Sequence, residues 1–148
     1  MANHIRQQIR ERIASNLTGL TTTGTRVYQS RVYPLEDNNL PGLIIYTVSE
    51  ESEPAVIGTD RLLDRRLNVV IEGYCEAISN YDDTIDTICK EVEVAMAGDR
   101  TINSLAKDNY LTLTDIAYNG EGKKPVAYCS MTFMVEYMTN ETTPDQAQ

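Results

Sequence analysis

Residues 126–137, VAYCSMTFMVEY, read as one long strand with two usable faces. Ala127, Cys129, Met131, Phe133, Val135 and Tyr137 form one face; Val126, Tyr128, Ser130, Thr132, Met134 and Glu136 form a second that is only partly polar. A strand buried on one side alternates more cleanly than this. The chain offers too little helix to cover both faces of the sheet that holds this strand, so the uncovered face is expected to meet another subunit.

Upstream of that strand, Asn119-Gly120-Glu121-Gly122-Lys123-Lys124-Pro125 turns the chain back from a strand expected over 110–118. Residues 99–109 are ambiguous, with a short helical turn around Ile102 and Leu105 as one reading. Ser79 or Asn80 is placed to cap a helix that Gly98 stops, with Asp82, Asp83 and Asp86 near its positive end and Ile85, Ile88, Cys89, Val92 and Met96 on its buried stripe. A long strand over 62–74 alternates clearly: Leu67, Val69 and Ile71 point one way, Asp64, Arg66, Asn68 and Glu72 the other. Residues 50–60 are acidic and carry Pro54 and Gly58, which suits an exposed, protruding loop between antiparallel strands.

Residues 43–49 form a strand with two largely apolar faces, Leu43/Ile45/Thr47 and Ile44/Tyr46/Val48, repeating the excess seen at 126–137. Leu40-Pro41-Gly42 closes a turn over 35–42, and residues 25–33 have strand composition. At the N-terminus Ile5, Ile9, Ile13 and Leu17 recur every fourth residue, the narrow apolar stripe of a helix over 3–16. Residues 139–148 lack the apolar content to order themselves and read as a disordered tail.

The resulting order is α-β-β-β-α-β-β. It predicts an α+β fold: one domain over 1–138 with a mostly antiparallel mixed sheet of about five strands and two helices packed on one face. At 148 residues, one core suffices without disulfide or metal support. The formal charge of −9 argues against a general nucleic-acid or anionic-membrane binder. No stretch approaches the roughly 20 apolar residues of a membrane span, so no membrane partner is expected and a cytosol-like compartment is the default. Cys75, Cys89 and Cys129 are odd in number and form no Cys-x-x-Cys pair, which suits reduced core residues.

Little in the chain points to catalysis, a cofactor or a metal. His4 is the one histidine and stands in the N-terminal segment, away from any evident nucleophile. Asp82, Asp83 and Asp86 oppose a helix dipole more naturally than they hold a cation. The run Gly120 to Lys124 lacks the Gly-x-x-x-x-Gly-Lys-Ser/Thr spacing of a phosphate loop and precedes a strand, so a hairpin turn fits it better, with Lys123 and Lys124 free to pair with an acidic neighbour. Glu50, Glu51 and Glu53 form either a solvated loop or a partner contact. Arg61, Asp64, Arg65 and Arg66 open the long strand; Arg65 shares the parity of Leu67 and either lies beyond the core edge or pairs across an interface. Nine tyrosines against one phenylalanine and no tryptophan suit a subunit boundary, where a ring is buried and its hydroxyl stays bonded.

The chain resembles the tail terminator proteins of long, non-contractile-tailed bacteriophages, the minor tail protein U-like family. The matching features are the N-terminal helix ending near Leu17, RVYPLEDNNLPGLIIYTVSEESE (31–53), RRLNVVIEGY (65–74), YDDTIDTICKEVEVAM (81–96) and GKKPVAYCSMTFMVEYM (122–138), which together span 1–138. The resemblance implies a non-enzymatic virion protein at the head-proximal end of the tail, assembled in the bacterial host cytoplasm. It implies a hexameric ring that caps the tail tube, stops its polymerisation and offers a surface for joining the head. The implied partners are other copies of itself, the tail tube protein and a head-tail connector or head-completion protein, with DNA passing through the channel unbound. On this reading 50–60 and Lys123-Lys124 contact neighbours or the tube, and Tyr46, Tyr128 and Met134 lie at the subunit interface. A related neck or tail-completion protein, a monomeric adaptor and a small ligand-binding domain are the alternatives.

Overall fold

A computed structural model describes residues 2–29, 40–77, 79–119 and 125–148. Its elements run α1 (Ile5–Leu17), β1 (Val27–Tyr28), β2 (Gly42–Pro54), β3 (Leu62–Glu76), α2 (Tyr81–Gly98), β4 (Asp108–Asn119), β5 (Val126–Asn140) and β6 (Thr143–Ala147). The strands form one sheet in the order β1-β2-β3-β5-β4, with β6 paired to the far end of β5. β1 runs parallel to β2 and every other pairing is antiparallel. The expected α+β class and element order are therefore present, with one strand added at the C-terminus.

Both helices lie on one face of the sheet because each has a single apolar stripe to bury. α1 buries Ile5, Ile9, Ile13 and Leu17, and α2 buries Ile85, Ile88, Cys89, Val92 and Met96. These side chains join Leu43, Ile45, Leu67, Val69, Ile71, Cys129, Met131, Phe133, Val135 and Tyr137 in one cluster. Each fully buried aliphatic side chain contributes about 1.5–3 kcal/mol, so the four-residue stripe of α1 is ample to dock a helix that has no acidic residue in its first turn to aid it. All three cysteines are buried free thiols in this region. Gly73 sets how closely α2 approaches: a Cβ there would come within 2.7 Å of Ile88 Cγ2 and 3.1 Å of Cys129 Sγ.

Four local expectations are revised. β2 continues to Pro54, so the acidic segment over 50–54 is strand and not loop. The strand expected over 25–33 is assigned only at Val27–Tyr28, its remainder at 30–33 lying outside the described residues. Around Ile102 there is no helical turn; Ile102, Asn103 and Ser104 all have positive φ, and this left-handed run buries Ile102 while Asp99 Oδ1 accepts the Asn103 N–H at 3.0 Å. The tail is not without order: β6 pairs with β5, Gln8 Nε2 donates to the Asp145 carbonyl at 3.5 Å, and Gln148 N donates to the Met138 carbonyl at 2.9 Å. Backbone pairing supplies what its side chains lack.

The close passage at Gly73 yields a direct expectation. Gly73→Ala should lower stability by about 1–3 kcal/mol through overpacking, and Gly73→Ala/Ile88→Ala, which removes the obstructing Cγ2 methyl, should cost less than the sum of the two single substitutions in a denaturant titration. An unchanged midpoint for Gly73→Ala would show that α2 does not sit this close to β3.

Candidate assembly surface

The face of the sheet opposite the helices is ordered into rows by strand register, since residues directly paired across strands share a face. Tyr46, Val70, Thr132 and Leu113 form one row and Ser49, Asn68, Met134 and Tyr110 the next; on the other side come Ile44, Glu72, Ser130 and Asp115, then Gly42, Tyr74, Tyr128 and Ala117. Tyr74 and Tyr128 stack with ring centroids 5.3 Å apart. Tyr74 O–H donates to Glu72 Oε1 at 3.3 Å, and burial together with that carboxylate pushes the phenol pKa up. Leu113 and Tyr110 are about half exposed, while Ile44, Val70 and Val126 on this face are buried. Beyond the apolar rows lies a charged rim in which Glu51, Arg66, Glu136 and Asp108 follow one another across four strands, with Glu53, Asp64 and Met138 outside them.

The β2–β3 hairpin extends this rim away from the core. Its strands pair out to Pro54 and Leu63, and residues 51–61 are exposed. Arg66 reaches Glu53 at 2.7 Å on its outer side. At the tip Ile57 is 99% exposed and Val56 51%. The ends are tied to the C-terminal segment: Glu141 N donates to the Arg61 carbonyl at 2.8 Å, and Thr142 Oγ1 donates to Asp60 Oδ1 at 2.6 Å.

At the root of the hairpin a β-bulge at Val48 changes which side chains face the helices. Thr47 pairs with Val69, but Ser49 pairs with Asn68 and Glu50 with Leu67, so the parity of β2 reverses and Glu50 turns inward. There its carboxylate accepts from Arg6 Nη1 at 2.8 Å and Arg65 Nη1 at 3.1 Å on Oε2, while Oε1 accepts from the Tyr137 hydroxyl. Arg65 Nε donates to Thr139 Oγ1 at 3.0 Å, and its guanidinium carbon lies 5.9 Å from the Tyr137 ring centroid. Burial, then the bond to Glu50, raises the Tyr137 pKa.

Tyr46, Tyr128 and Met134 thus share the open face with Asp64, Arg66, Glu51 and Glu53, and Arg61 lies at the hairpin tip. Glu50 and Arg65 turn inward: Arg65 is only 9% exposed, and within its own chain it pairs with Glu50 and Thr139. Lys123 and Lys124 lie outside the described residues. Asp82, Asp83 and Asp86 are exposed on α2. Sequence reading missed Arg6, Thr139 and the hydroxyl role of Tyr137; the parity of Arg65 and Tyr137, both inward and polar, was the available signal. His4 caps α1, its Nδ1 accepting the Arg6 N–H at 3.0 Å.

No family model matches the chain, and no curated protein does. Among solved structures it is similar to a chain from the virion of a native gene transfer agent particle, at 15% identity, covering 92% of each chain, with a TM-score of 0.38.

Two outcomes are expected from the buried cluster. Glu50→Ala leaves Arg65 buried without its carboxylate and should cost about 3–5 kcal/mol, whereas Glu51→Ala, on the exposed side, should barely move the unfolding midpoint; equal small effects would refute the inward placement. The second outcome concerns pH. Burial and the charges of Arg6 and Arg65 hold the His4 pKa below 6.5, against Glu50 and Asp145. The fold therefore disfavours the protonated imidazole, so this contribution is fully present above about pH 6.5 and is lost as pH falls through the depressed folded-state value. Thermal melts should show that loss in wild type, and His4→Asn, which keeps a capping acceptor, should flatten it.

Proposed function

We propose that this chain is a ring-forming terminator subunit of a long, non-contractile phage-like tail, located at the head-proximal end of the virion. The observation that carries the reading is the one-sided sheet: both helices occupy one face, and the other presents an apolar band of Tyr46, Val70, Leu113, Met134 and Tyr110, with Thr132, Ser49 and Asn68 among them, between the row of Glu72 and Asp115 and the charged rim. Contiguous apolar surface of this kind marks an interaction site. The passages over 31–53, 65–74, 81–96 and 122–138 support the choice of family by resemblance, and the element order agrees with it.

The mechanism is geometric and needs no reaction. Subunits joined by heterologous contacts close into a ring. One surface of the ring matches the growing tail tube; the opposite surface does not, so binding once ends growth, and that second surface joins the connector or head-completion protein. The net charge of −9 suits a channel through which DNA passes unbound, since phosphate repels an acidic lining.

Purified full-length protein, alone and with its tail tube protein, should give rings or capped tubes in negative-stain microscopy and matching masses by light scattering. A compact monomer that neither forms rings nor caps tubes would overturn the reading. Glu51→Lys/Glu53→Lys should lengthen tails without loss of folding; Glu50 is left intact in this variant because it holds the fold.

A further inference from the structure

The hairpin tip and a cleft on the far side of the molecule are complementary. The cleft, about 360 Å³, lies between the 19–24 loop and α2 and is lined by Gly19, Leu20, Thr21, Lys90, Val94 and Ala95, with Glu91 beside them. It is a built feature. Gly19 N donates to the Gly24 carbonyl and Gly24 N to the Leu20 carbonyl, both at 2.8 Å, and both glycines have positive φ, 95° and 58°. Glu91 then pins the loop to α2 by accepting the Thr22 N–H at 2.9 Å and the Thr22 hydroxyl. Leu20 and Ala95 pack on the core and form an apolar floor, while Val94 on the wall is 65% exposed.

We propose that Val56 and Ile57 at the hairpin tip of one subunit seat in this cleft on the next subunit, the occupant being a second copy of this chain; the proposal rests on the ring reading above. Three observations converge on it. Ile57, 99% exposed at the end of an arm, is apolar surface without a place in its own chain. The cleft is apolar, and its rim carries Lys90, which makes no ion pair among the described residues, whereas the arm carries Glu51, Glu53, Asp60 and Asp64 against Arg61 and Arg66. An arm cannot fill its own cleft. The N-terminal end of α1 meets the hairpin root through Arg6 and Glu50, while the loop after its C-terminal end, which forms the cleft, leads to Arg26, whose carbonyl accepts from Leu43 N at the opposite end of β2. α1 is about 20 Å long, and the strand from Glu50 to Pro54 adds about 13 Å in the other direction. Tip and cleft are therefore different surfaces at opposite ends, and their contact is heterologous, the kind that propagates around a ring.

Ile57→Glu and Val94→Glu, both at exposed positions, separate the two halves of the contact. Each variant alone should keep its fold but lose ring formation, with self-association at least about tenfold weaker. A 1:1 mixture should stop at heterodimers in sedimentation, because the Val94→Glu copy still supplies a tip and the Ile57→Glu copy still supplies a cleft. In parallel, Ile57→Cys/Val94→Cys should give a ladder of covalent oligomers on oxidation, whereas either single cysteine should stop at dimers. Rings formed by either Glu variant at wild-type concentration would overturn the contact while leaving the ring reading standing. A covalent ladder from Ile57→Cys/Val94→Cys, with wild-type protein that neither rings nor caps tubes, would keep the contact and remove the ring reading; no ladder and no rings would remove both.

Discussion

The carboxylate of Glu50 is the point through which the distal half of the sheet is held to the rest. It draws Arg65 from β3, the Tyr137 hydroxyl from β5 and Arg6 from α1 to one buried position on β2, and Arg65 carries the connection on to Thr139. A buried ion pair of this kind adds little net stability over an apolar replacement, yet losing one partner is severe. Its value lies in geometry. A one-residue slip of β2 against β3 would move Glu50 to the open face and leave Arg65 buried without its carboxylate, so register is set at the root of the hairpin and the arm beyond it is directed.

The one-sidedness of the sheet follows from size. The main path of five strands, at about 4.8 Å spacing, is roughly 19 Å wide, and two helices packed side by side at 8–10 Å cover roughly that width. One face consumes both helices, of 13 and 18 residues. The chain compensates on the other face by packing side chains along the sheet. Tyr74 stacks on Tyr128, and tyrosine places its ring on apolar neighbours while its hydroxyl keeps a polar partner. This explains the preference for tyrosine better than strand propensity does, since Phe133, the single phenylalanine, points into the core.

Much of this was legible in the sequence. The four-residue spacing of Ile5, Ile9, Ile13 and Leu17 gave the first helix, and the two-faced apolar strands at 43–49 and 126–137 gave the one-sided sheet. What escaped reading came from features without a local signature. A bulge at Val48 obeys no composition rule, and strict alternation across it assigns Glu50 to an exposed acidic run. Thr143–Ala147 is polar and contains Pro144, so its pairing with β5 depends on the free edge that β4 leaves beyond Glu136. The cleft beside Val94 needed the fold, because Leu20 and Val94 are far apart in sequence and belong to no shared stripe.

Charge decides between the ways in which the open face can be covered. Two copies placed face to face about a two-fold axis would close as a dimer and end assembly. In one orientation the rims of Glu51, Glu53, Asp64, Glu136 and Asp108 would meet their own copies; in the opposite orientation they would lie over the Tyr and Met rows. The first opposes a rim in which carboxylates outnumber the cation Arg66, and the second takes Glu51, Asp64 and Glu136, which make no ion pair among the described residues, out of water; both are costly. A neighbour that presents a different surface avoids both arrangements. The hairpin arm and the cleft at the far end of α1 are such a pair of unlike surfaces.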